Sequence, residues 1–274
     1  MAWTPFSYIV VNLARQIRPG EVTFSGVNST LPMLACLLAK HAYDFHFTYI
    51  NVAGGVEPKP DKVPHSSSDP AIVAGSPAIF ANEDFYDLCA RGGLDLVFLG
   101  CAQIDAEGRT NVSTIGPWHE PKVRLPGGGG AAVMMPTAKR VATWRTEHTP
   151  RTLVRKLDFV TAAGNLSTLV TPIAVFQRRA GRLALESWNP DVTLDEVRKR
   201  TGFTFDATSA QATAAMFEVS AGRPGAAMAR LGPIWRQRPG DVQIAFNYVD
   251  AACNAGALSP TSRWWRDQLR WARA

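Results

Sequence analysis

Apolar and polar positions follow two rhythms along this chain, and their succession predicts a layered fold. Residues 5–17 carry apolar side chains at helical spacing and stop at Pro19-Gly20, which predicts an amphipathic helix. EVTFSGVN (21–28) reads as a strand with a glycine turn, LPMLACLLAKHA (31–42) as a buried helix and FHFTYINV (45–52) as a strand. The Pro- and Ser-rich EPKPDKVPHSSSDP (57–70) reads as a surface loop, and NEDFYDLCARGG (82–93) as a helix. LDLVFLG (94–100) is a continuous apolar run of the kind buried on both faces of a parallel sheet. Further strands are expected at AAVMM (131–135), RVATWR (140–145), DFVTA (158–162), TPIAVFQ (171–177) and RLALESW (182–188). The last two are joined by the hairpin signal RRAGR. In VTLDEVRKRTGF (192–203), Thr193 stands as N-cap with Glu196 three residues later and Gly202 after the last turn. This order implies an α/β fold, an open, mostly parallel sheet with helices on both faces.

Charge separates the end of the chain from its body. From 221 onward eight arginines face three aspartates, a balance of +5, which leaves about +1 of the total +6 for residues 1–220. The body is nearly neutral, so nucleic acid is not an expected partner. The pattern after 220 changes to short helical segments broken at Gly-Pro and Pro-Gly. Residues 1–220 therefore read as one α/β domain and 221–274 as a basic helical appendage, with Trp264, Trp265 and Trp271 packing on the body or on a partner. The longest apolar runs are far short of the ~20 residues that span a bilayer. The N-terminus lacks the features of a signal peptide. The four cysteines are scattered without a CxxC pair, so reduced thiols, a cytoplasmic location and no metal site are expected.

Open α/β sheets bind ligands at the carboxyl ends of their strands. Four turns fit that rule: Ser25 to Asn28, Asn51 to Gly55, Gly100 to Gln103, and Pro126 to Gly130. The last carries the strongest signal, because Gly127, Gly128, Gly129 and Gly130 leave their N–H groups unshielded for an oxyanion or phosphate. A merely permissive loop is the alternative. No GK[ST] or GxGxxG pattern is present, and the five histidines form no constellation. At the tip of the strand ending in Ile50-Asn51-Val52 stands no acid, base or nucleophile.

The stretch DLVFLGCAQIDAEGRTNVSTIGPWHEPKVRLPGGGGA resembles the core of the β subunit of class I CoA-transferases, most like glutaconate CoA-transferase. The resemblance runs from about residue 8 to 206 and leaves out the tail. It implies pairing with an α subunit of the same family, as a heterodimer or α2β2, with an acyl-CoA lying between the two and no separate cofactor. Such β subunits carry a nucleophilic glutamate at the tip of their second strand, which here falls between Ile50 and Val52. No carboxylate stands there. A subfamily of steroid ring-opening CoA hydrolases lacks that glutamate as well and cleaves a carbon–carbon bond in a ketone-bearing ring. The resemblance thus implies a β subunit of such a hydrolase, with a base supplied by the α subunit. On this reading Asn51 bonds a substrate carbonyl or water, the glycine N–H groups stabilise an oxyanion, and Arg124 pairs with an anionic group. Gln103 either points into the cleft or caps its turn. Two other readings remain open, a transferase whose nucleophile has shifted to Glu57 and a non-catalytic scaffold subunit.

Overall fold

The computed structural model describes residues 5–42, 46–189 and 191–210. The appendage expected from 221 onward lies outside them, as does the boundary at 220. The elements are α1 (Pro5–Ala14), β1 (Val22–Ser25), α2 (Thr30–Ala42), β2 (Thr48–Asn51), β3 (Gly55–Val56), a 3-10 turn (Pro70–Val73), β4 (Ala78–Ile79) and α3 (Asn82–Ala90). There follow β5 (Leu96–Gly100), β6 (Gln103–Ile104), β7 (Thr110–Asn111), β8 (Thr114–Ile115), β9 (Val123–Arg124) and α4 (Ala131–Thr137). The last are β10 (Arg140–Trp144), β11 (Leu166–Val170), β12 (Ala174–Arg179), β13 (Arg182–Trp188) and α5 (Leu194–Arg200). The chain divides into a compact unit of Met1–Leu183 with Trp188–Phe205 and a second of Ala184–Ser187 with Asp206–Ala274. The cleft and the contacts that build it belong to the first unit.

Nine strands form one sheet in the order β13-β12-β11-β10-β5-β1-β2-β3-β4. Its centre, β11-β10-β5-β1-β2, is parallel throughout, and antiparallel neighbours flank it where β11 meets β12 and β2 meets β3. Burial on both faces explains why LVFLG shows no alternation. On one face, Leu96 and Phe98 of β5 pack with Ile9 and Leu13 of α1 and Ala35, Cys36 and Ala39 of α2. Phe24 is in register with Val97, which places it on the opposite face. There it stacks on Phe85 of α3 at 4.3 Å between ring centroids. Helices therefore cover both faces of a mostly parallel sheet, as the sequence pattern implies.

Two local readings are revised by packing, and two are confirmed. AAVMM is not a strand but the body of α4. An apolar run of five residues fits either element, and burial of Ala131, Met134 and Met135 at helical spacing against α3 and β5 selects the helix. DFVTA forms no strand and contributes only an isolated bridge between Thr110 and Ala162. The strand beside β10 is instead LSTLV, four residues later. The capped helix is present as read, with the Thr193 hydroxyl accepting from the Glu196 N–H. The RRAGR turn places Ala180 and Gly181 at φ 47° and 82°, which suits a two-residue hairpin. Among the described residues no helix is long and apolar enough to cross a membrane.

Candidate functional site

From β1 the chain moves to β2 on one side and later to β5 on the other. The carboxyl ends of these strands surround the point where the connection reverses, and a crevice opens there in doubly wound sheets. The structure has a cleft of about 870 Å³ at this place. It is lined by residues at or just after the ends of β1 (Gly26 to Thr30), β2 (Asn51, Val52), β5 (Gly100 to Ala102) and β10 (Trp144 to Thr146). The loop Leu125 to Gly130 and Phe85 and Tyr86 of α3 are also among its lining residues.

A buried polar hub fixes the glycine loop. Asn111, wholly inaccessible, accepts from the N–H groups of Ser113 and Thr114 and donates to the Thr114 carbonyl at 2.6 Å. The loop hangs from that hub, since Leu125 N–H bonds the Ser113 carbonyl and Gly127 N–H the Val112 carbonyl at 2.8 Å. The Gly127 donor is therefore occupied. The N–H groups of Gly128, Gly129 and Gly130 make no hydrogen bond among the described residues. Gly127 and Gly129 adopt φ 94° and 48°, a region that penalises other residues. A Cβ at Gly130 would stand 3.2 Å from the Tyr86 hydroxyl, so the loop passes close to α3.

The other expected site residues are placed as follows. Asn51 ends β2 and borders the cleft, but its amide is fully buried and engaged. Its Oδ1 accepts from Ala53 N–H at 3.0 Å and Gly55 N–H at 3.3 Å, and its Nδ2 donates to the Ile72 carbonyl at 3.3 Å. Beside it, Val52 also lines the cleft. Gln103 is outside the lining, because its Oε1 accepts from Asn111 and its Nε2 reaches the Arg151 carbonyl, tying the β6–β7 hairpin. Arg124 is also outside it. On exposed β9 its guanidinium lies 4.7 Å from the Trp118 ring centre and bonds the Trp118 carbonyl at 3.0 Å. Glu57 is turned away too. Its carboxylate meets Lys40 Nζ at 2.8 Å and the Tyr49 N–H, and it does not border the cleft.

No Asp, Glu, His or Lys is among the described residues that line the cleft. Its only cation there is Arg145, and its thiol is Cys101, whose pKa burial pushes up to about 12. Neither Arg145 nor Trp144 stood out in the sequence beyond forming a strand. The signal available was their position, the last residue of a parallel strand and the one that follows it.

Known proteins resemble this chain in sequence and in fold. A family model described as Coenzyme A transferase matches residues 7–200. The β subunit of 3-oxoadipate CoA-transferase from Pseudomonas knackmussii is 29% identical over 238 residues, covering 80% of this chain and 90% of that protein. The β subunit of glutaconate CoA-transferase from Acidaminococcus fermentans is 27% identical over 224 residues, 73% of this chain and 83% of that one. Among solved structures, the decarboxylase AibA/AibB superposes with a TM-score of 0.69 at 32% identity, covering 74% of this chain and 85% of that chain. IpdAB of Rhodococcus jostii RHA1 shares the fold with a TM-score of 0.64 at 22% identity, covering 76% and 86%.

Proposed function

The chain belongs to the coenzyme A transferase family, and from that premise we propose that it is the β subunit of a heteromeric enzyme that cleaves a carbon–carbon bond of a CoA thioester without a covalent acyl-enzyme. One observation carries this reading: the strand tip bordering the cleft bears Val52, and no carboxylate lines the cleft among the described residues. A valine has no lone pair to attack a thioester, and Asn51 is both a poor nucleophile and committed to its turn. Glu57 lies elsewhere, so a shifted nucleophile has no geometric support. An acid–base group must then come from across the cleft, from an α subunit of the same family.

The finer proposal is hydrolytic opening of a ketone-bearing ring in a bicyclic CoA ester of steroid breakdown. The partner's base takes a proton from water, and the hydroxide oxygen bonds to the ring ketone carbon. The ring C–C bond then breaks, its electron pair moving to the thioester as an enolate. Protonation of the α-carbon completes the addition of water. The free N–H groups of Gly128, Gly129 and Gly130 are the donors this chain offers to the developing oxyanion. Each such donor contributes ~3–4 kcal/mol where oxyanion holes have been dissected. A second reading, decarboxylation, is favoured by the 32% identity to the decarboxylase AibA/AibB. It passes through a similar enolate and would use the same donors.

Mass spectrometry of the heteromer incubated with ketone-bearing polycyclic and carboxylated acyl-CoA esters tests these readings. Gain of water supports the ring opening, and loss of carbon dioxide supports the decarboxylase. A CoA adduct on this chain, with transfer to an acceptor acid, would overturn both.

A further inference from the structure

Few side chains in the cleft wall have an O–H or S–H to offer a ligand. Ser29 Oγ donates to the Val27 carbonyl, and the Cys101 thiol is buried. Tyr86 differs from both. It lines the cleft, is 42% exposed, and its hydroxyl has no hydrogen bond among the described residues. Aromatic packing sets its position on α3. The preceding Phe85 is buried and stacks on Phe24 at 4.3 Å and on Phe80 at 5.8 Å, and Tyr86 meets Phe85 edge-on at 5.6 Å.

The glycine loop comes close to this hydroxyl at one residue. Around Gly127, Gly128 and Gly129 an added Cβ would meet no side chain that lines the cleft. Gly127 and Gly129 are called for by their positive φ. Gly130 is not, since its φ −76° and ψ −6° are open to any residue. Space calls for glycine there. A Cβ would stand 2.5 Å from Met134 Cε, 3.2 Å from Tyr86 Oη and 3.3 Å from Tyr86 Cε1. The missing side chain lets the phenol approach the backbone of a residue whose own N–H is unbonded. Two unbonded donors of different kinds, a backbone N–H and a phenolic O–H, thus lie at one place in the wall. Tyrosine hydroxyls and backbone N–H groups are both donors that hold oxyanions in enzymes.

We propose that Tyr86 is a catalytic hydrogen-bond donor, its hydroxyl acting with the Gly130 N–H on the thioester oxygen as that oxygen takes up negative charge in the enolate. This rests on the reading that the cleft takes a CoA ester through an enolate, and it adds a side-chain donor of this chain to the backbone donors. No proton is transferred, because the O–H bond of the phenol stays intact while it donates.

The test uses acetoacetyl-CoA, whose enolate has its own ultraviolet band, so that stabilisation of the anion is read without turnover. The heteromer co-purified with its α subunit is mixed with this probe by stopped flow over a series of pH values. Bound to the wild type, the probe should ionise at lower pH than it does free, since donors to the anionic form lower a pKa. Tyr86→Phe removes the hydroxyl and keeps the ring. It should cut the ratio of enolate to neutral probe at a given pH by about ten- to a hundredfold, the range of a hydrogen bond to a charged group. Calorimetry at a pH where the probe is neutral should find its affinity unchanged. A Tyr86→Phe heteromer that ionises the probe as the wild type does overturns the proposal and leaves the glycine donors standing. A wild type that binds the probe without lowering its pKa overturns the oxyanion site as a whole, Tyr86 included, and leaves the CoA-ester cleft. If the wild type does not bind the probe, the cleft reading fails and the proposal with it. If Tyr86→Phe loses the α subunit that the wild type retains, the hydroxyl serves the subunit contact and the proposal is overturned.

Discussion

His148 should set the acid limit of the fold. Its ring is inaccessible and sits between two hydroxyls, with Nδ1 2.8 Å from Thr171 Oγ1 and Nε2 2.9 Å from Thr201 Oγ1. Thr171 directly follows β11 and Thr201 is the C-cap of α5, so the imidazole joins the helix to the sheet. Burial, and then the positive charge of Arg200, lower its pKa from 6.5 to about 3. Arg200 also donates from Nε to the His148 carbonyl at 3.1 Å. The unfolded chain therefore takes up the proton first. The contribution of a neutral His148 is fully present above pH 6.5 and is lost as pH falls from 6.5 toward 3. At ~1.36 kcal/mol per pH unit, the loss between about pH 7 and about pH 5 is about 2 kcal/mol. A unit of this size shifts its Tm by ~2–4 °C per kcal/mol, so the fall should be about 4–8 °C.

His148→Gln removes the titration while keeping polar atoms near both hydroxyls, and should cost about 1–3 kcal/mol at neutral pH. Thermal unfolding of both proteins, followed at pH 7, 6 and 5, isolates the histidine, since every carboxylate is common to the two. The wild-type Tm should approach that of the variant as the pH falls. Parallel curves across this range would refute the argument, because they would show that His148 takes up its proton equally in both states.

Four other outcomes follow from the geometry. Asn111→Ala should destabilise the first unit by about 2–4 kcal/mol and lower turnover more than it raises KM, since the glycine loop hangs from that hub; denaturation and steady-state kinetics check both. Gly127→Ala meets open space but must hold φ 94°, so it should cost ~1–2 kcal/mol in urea unfolding by conformational strain alone. Glu57→Gln should leave kcat within about twofold and cost at most ~1 kcal/mol, as its Lys40 pair is partly exposed and lies away from the cleft; loss of activity would revive a shifted nucleophile. Cys36 and Cys101 are buried, and burial raises the pKa of each thiol, that of Cys101 to about 12. Peptide mapping after iodoacetamide treatment at pH 8 should find neither labelled until the chain is unfolded.

Local chemistry alone determined much of this protein. A continuous apolar run such as LVFLG has only the interior of a parallel sheet to occupy, and the Thr193 cap and the RRAGR turn act through neighbours in the chain. The run of four glycines and the want of a carboxylate at the β2 tip were equally legible, because each is a matter of residue type at a strand end. Choices between elements of equal local fitness were left to tertiary packing. AAVMM became a helix because α3 and β5 bury its Ala131, Met134 and Met135 face, and LSTLV, not DFVTA, took the place beside β10. The same holds for which polar side chains meet the cleft. Asn51, Gln103, Arg124 and Glu57 lie near its parts in sequence, yet each is bound by partners that only folding brings close: Ile72, Arg151, the Trp118–Phe159 stack and Lys40. Arg145 stands in the cleft because β10 lies beside β5, and strand order is fixed by how the whole sheet packs, which no local pattern of residues encodes.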